Sequence, residues 1–155
     1  MAFAADYAVL FDRLDEELRI APEPALDLFA KIIAGVCTRI PVLSKSGKAG
    51  MIDRLIECRA WTDAALSLIE LELPAWKVRR LVYEDGEWLC SLSRQPNLPL
   101  EIDDTVDASH EALPLAILSA FVEARRKVST SRETALADQR QSSAPAGVVC
   151  CDNFA

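Results

Sequence analysis

The chain has 155 residues, is 51% hydrophobic and carries a formal net charge of −7 with a pI near 4.8. That length suits one domain around one core, and the acidic balance argues against a general phosphate-binding surface, so nucleic acid is not expected as a partner. No uncharged apolar run reaches the ~18 residues a membrane span needs, no basic segment precedes the first apolar residues as a secretory signal requires, and five Cys without CxxC spacing beside a single His suggest reduced thiols in a cytoplasm rather than a zinc site or a disulfide framework.

Phe3, Tyr7, Leu10, Phe11, Leu14 and Leu18 recur at steps of three and four, with acids between them, which predicts an amphipathic first helix. Pro22 and Pro24 end it, and Pro24 suits the first turn of a second helix over about 24–40. That segment, with Leu26, Leu28, Phe29, Ile32, Ile33, Val36, Cys37 and Ile40, is apolar nearly all round and is expected to be the central buried helix. Gly35 inside it costs about 1 kcal/mol against Ala, which points to close packing of another backbone there.

A third helix is predicted over about 48–59, with Met51, Ile52, Leu55 and Ile56 inward, and a fourth over about 63–72, with Ala65, Leu66, Ile69 and Leu73 inward. Pro74 closes the helical half. From there to Gln95 the pattern alternates, and Asp85-Gly86 between runs rich in branched and aromatic residues marks a β-hairpin. A two-residue loop would divide the apolar residues between the faces. A three-residue loop, Glu84 to Gly86, pairs Val82 with Trp88, Arg80 with Cys90 and Val78 with Leu92, leaving Arg80 as the one interruption of an apolar face. On that register Arg80 needs an acid, and Asp103, Asp104 and Asp107 are the nearest candidates.

The segment 95–102, with Pro96 and Pro99, reads as extended. Asp103, Asp104 and Thr105 then look like the N-terminal cap of a last helix running to about Val128, kinked or restarted at Pro114. Composition turns to Ser, Thr, Gln and Ala after that, so 1–128 reads as the globular domain and 129–155 as a flexible tail with a helical piece near 133–139. The fold class is α+β and mostly α, a bundle of about five helices with one antiparallel hairpin packed on it.

Chemistry-bearing motifs are few. The segment 44–50, SKSGKAG, lacks the Gly and the Ser or Thr that a phosphate-binding loop requires at Val42 and Ala49. Asp103, Asp107, His110 and Glu111 would share a helical face and could hold a cation, although acids at a helix N-terminus need no metal, because the helix dipole already favours them. Cys90 or Cys58 with His110 is the one conceivable nucleophile and base pair, whereas Cys on apolar faces commonly serves as a small hydrophobe. Lys77, Arg79, Arg80 and Arg94 gather at the hairpin base near an acid run from Glu101 to Glu111, either as an internal charge match or as a patch for an anionic ligand or acidic peptide. No cofactor or metal is called for. The leading reading is a non-enzymatic protein that binds a partner protein or associates with itself. The alternative is a small enzyme or ligand-binding domain with a pocket between hairpin and last helix. Candidate ligand or partner residues are Trp76, Arg79, Arg80, Trp88, Arg94 and His110.

Overall fold

The computed structural model describes residues 2–43 and 47–142. Periodic apolar residues become helices where expected: α1 (Ala2–Ile20), α2 (Leu26–Val36), α4 (Gly47–Glu57) and α5 (Trp61–Glu72), with a single turn, α3 (Ile40–Leu43), between α2 and α4. Strands β1 (Lys77–Glu84), β2 (Glu87–Ser93) and β3 (Val106–His110) form one antiparallel sheet in the order β1-β2-β3, and α6 (Leu113–Ser142) follows. The fold is α+β and mostly helical, with the sheet packed on the helices.

The central helix is α6 rather than α2. Leu115, Ala116, Ile117, Leu118, Ala120, Phe121, Val122 and Ala124 are wholly buried, because this half of α6 is covered both by the sheet and by α1 and α5. Helix α2 buries one face only, Leu28, Phe29, Ile32 and Val36, and leaves Leu26 59% exposed. Phe29 stacks on Trp61 at a centroid distance of 5.4 Å, joining α2 to the start of α5. On α4, Ile52 and Ile56 point inward with Ala49, while Met51 is exposed. The close approach at Gly35 is by a side chain and not a backbone: a Cβ there would lie 3.4 Å from the Leu10 methyls.

The hairpin differs from the expected register in an informative way. Its loop is the two-residue Asp85-Gly86, with both residues at positive φ (54° and 88°), and Tyr83 faces Trp88. Positive φ at both central positions gives a turn whose twist matches that of the strands. The division of the apolar residues that this loop should cause is lessened by a β-bulge between Val78 and Arg80, which restores Val78 opposite Leu92, while Val82 and Leu89 stay paired on the other face. Val78, Leu81, Tyr83, Trp88, Cys90 and Leu92 therefore share the face toward α6, and Arg80, opposite Ser91, belongs to the other face.

The stretch read as the first turns of the last helix is largely strand, and the residues read as its cap, Asp103 to Thr105, precede that strand. Val106, Ala108 and His110 pair with Leu92, Cys90 and Trp88, so period-two alternation wins over the acid-rich composition. Pro114 is the second residue of α6, where its missing N–H leaves no hydrogen bond unmade, so the helix begins there instead of kinking. Helix α6 continues past Val128 to Ser142, through the residues predicted as a helical piece of the tail, and the rest of that tail lies outside the described residues.

Candidate functional site

Two of the singled-out residues meet at the hairpin base. Trp76 precedes β1 and Arg94 follows β2, and the pairing of Lys77 with Ser93 sets these two positions side by side. The Arg94 guanidinium lies over the Trp76 ring, 5.4 Å from its centroid, a cation–π contact worth about 0.5–1 kcal/mol at an exposed position. Trp76 itself is buried, so it fixes Arg94 from beneath.

Helix α6 passes this corner and presents Lys127, Val128, Ser131, Arg132 and Ala135 on one side, at offsets of one, four, five and eight from Lys127. Together with Trp76 and Arg94 they line a cleft of about 240 Å³. Arg94 also walls an adjoining hollow of about 320 Å³ that contains Asp103 and Asp104. Asp104 reaches from the hollow toward the cleft: its carboxylate accepts a hydrogen bond from Lys127 Nζ and lies 4.0 Å from Arg94 Nη2. That bond, with the charges of Lys127 and Arg94, holds the Asp104 carboxyl below its ordinary range. Arg132 has no hydrogen-bond or ion-pair partner among the described residues. Three cations thus face one carboxylate, a local positive surplus on an acidic protein.

The loop carrying Asp104 is fixed by its neighbour. The Asp103 side chain, 2% exposed, accepts hydrogen bonds from Arg79 Nη1 and, at 2.7 Å, from Ser93 Oγ. Arg79 also donates to the Leu98 carbonyl at 2.6 Å, and the Gln95 N–H donates to Ser93 Oγ at 2.9 Å. The backbone at Asp103 is therefore tied to β1 and β2, while the Asp104 side chain stays 61% exposed.

The remaining candidates stand elsewhere. Arg79 is the structural partner of Asp103, a role sequence reasoning assigned to Arg80; Arg80 instead lies 3.8 Å from Glu84, with both side chains largely in solvent. Trp88 sits on the inner sheet face against Tyr83, ring centroids 5.2 Å apart. His110 Nδ1 accepts the Ala112 N–H at 2.9 Å, just before α6 begins. The cleft between hairpin and α6 exists, but Arg80, Trp88 and His110 do not line it. Asp107 and His110 fall on opposite faces of β3, so the helical acid–histidine constellation does not form.

A larger groove of about 500 Å³ runs along α4 beside Gly47, Gly50, Met51, Arg54, Leu55 and Cys58. It holds one charged side chain and no converging polar groups, so it offers less chemistry than the smaller cleft. Burial pushes the Cys37 thiol up to about 12, with the Glu72 carboxylate adding to the effect, and the Cys90 thiol up to about 11, with Asp107 adding. Both remain protonated thiols near neutrality and are poor nucleophiles. Sequence reasoning passes over Lys127, which lies inside the expected last helix, and Arg132, which lies beyond its expected end at Val128; continued at 3.6 residues per turn, that helix brings 127, 128, 131, 132 and 135 to one side. Comparison of the chain with protein-family models, with curated proteins and with solved structures finds no match in any of the three.

Proposed function

We propose that this protein acts by binding rather than by catalysis, and that its partner is a protein that presents an acidic segment to the cleft between the hairpin base and α6. The observation that supports this reading is the positive surplus around Arg94, Lys127 and Arg132, with Arg132 lacking an acid partner among the described residues. A guanidinium without a partner beside one held over a tryptophan is suited to carboxylates, which it engages with two parallel N–H donors. The net charge of −7 repels acidic chains as a whole, so a locally positive corner would also orient them on approach.

The test uses a short fluorescein-labelled peptide alternating glutamate and serine, with a lysine–serine peptide as control. Anisotropy should show saturable binding of the acidic peptide alone, weakening as salt rises because exposed charges are screened over ~10 Å at 0.1 M. Arg132→Glu and Arg94→Glu should each lower the affinity about tenfold or more, since like charges would then face the peptide. Equal binding of both peptides, or binding indifferent to these reversals, would remove the proposal.

A further inference from the structure

We infer that Asp104 occupies the position that a carboxylate of the partner takes on binding, so that two of the cleft's cations are paired in its free form by an internal mimic of its ligand. This rests on the binding role proposed above and adds to it the anion subsite and the residue that guards it. Three features of the corner lead here. Among the described residues Asp104 is the single acid paired with the cations of the cleft, and it contacts two of them, Lys127 and Arg94, from the neighbouring hollow. Its backbone is anchored by the buried Asp103, bonded to Arg79 and Ser93, so the loop need not move for the Asp104 side chain to leave. Its side chain is 61% exposed, so when displaced it returns to water without a burial cost.

The exchange conserves charge pairing. An incoming carboxylate takes the Lys127 ammonium and the Arg94 guanidinium from Asp104 and gains Arg132, which Asp104 does not engage. The ligand therefore makes one more cation contact than the mimic, which gives the exchange its direction. The ligand class is a carboxylate borne on a peptide, the chemistry that Asp104 itself presents.

The decisive measurement compares the acidic peptide on the wild-type chain, on Asp104→Asn and on Glu57→Gln. Glu57 is exposed at the end of α4, and its replacement makes the same change in net charge away from the cleft. Asp104→Asn removes the competing charge and keeps the side-chain shape; exposed ion pairs of this kind are worth roughly a two- to fivefold change in an equilibrium, so binding should tighten about two- to fivefold. Glu57→Gln should leave the affinity unchanged, and circular dichroism should show all three proteins folded. Equal affinity for wild type and Asp104→Asn would overturn the subsite while leaving the binding role intact. Equal tightening by both variants would also overturn it, since net charge alone would then account for the gain. Absence of peptide binding to all three would remove the binding role and this inference together.

Discussion

Arg79 and Arg80 are adjacent, chemically identical and on the same strand, yet they have opposite energetic roles. Arg79 neutralises the buried Asp103 carboxylate, so Arg79→Ala leaves a buried charge without its partner and should destabilise by about 3–5 kcal/mol. Arg80 has only an exposed neighbour, Glu84, and Arg80→Ala should change stability by less than about 0.5 kcal/mol. Urea midpoints of the two variants check both, and similar values would contradict the assigned pairing. At the turn, Gly86 has φ of +88° with open space around its Cα. Any loss in Gly86→Val is therefore backbone strain, about 1–2 kcal/mol for a residue forced into the left-handed region. The sequence did show that an arginine of this pair must meet an acid near residue 103. It did not show which, because one inserted residue at the bulge moves every side chain before it to the other face.

Among the elements, long periodic segments were the legible ones. α1, α4 and α5 stand within a few residues of the positions their apolar spacing indicates, and the hairpin strands were found from alternation and Asp85-Gly86. β3 was not found, since a five-residue strand with Asp107 and Ser109 outward takes its stability from pairing with β2, a partner that local composition does not reveal. α2 and α5 are joined by a contact equally invisible beforehand: the buried Glu72 carboxylate accepts the N–H groups of Thr38, Arg39 and Ile40 at 3.0, 2.8 and 2.8 Å. On the other side of that linker, the Arg125 Nε donates to the Val36 carbonyl at 2.9 Å, closing the end of α2. Removing the acceptor in Glu72→Ala should cost about 1–3 kcal/mol, the penalty for leaving such donors unmet, and hydrogen exchange at residues 38–40 should quicken selectively. Unchanged exchange there would show that the carboxylate does not hold the linker.

At the scale of the whole molecule, the buried thiols give stability a dependence on alkaline pH. Unfolded, Cys37 and Cys90 lose their protons near about pH 8.5, whereas folded they hold them to about 12 and about 11. The folded state then binds more protons than the unfolded one, so stability should fall as pH rises above the unfolded value and continue falling toward the folded ones. Urea midpoints across that range should decline less steeply for the Cys37→Ala, Cys90→Ala double variant than for wild type. An equal slope would mean that other groups govern the alkaline limb. The bulge in β1 has a separate consequence for how many copies coexist in a crowded solution. β1 is eight residues long and lies at the border of the sheet, with its far side unpaired among the described residues, the kind of border on which a further strand from another chain can grow. The irregularity between Val78 and Arg80 breaks the straight row of backbone donors and acceptors, and the exposed Lys77 and Arg80 add positive charge to the same stretch. The feature that reconciles the hairpin with its core thereby also keeps the sheet from becoming a template for aggregation.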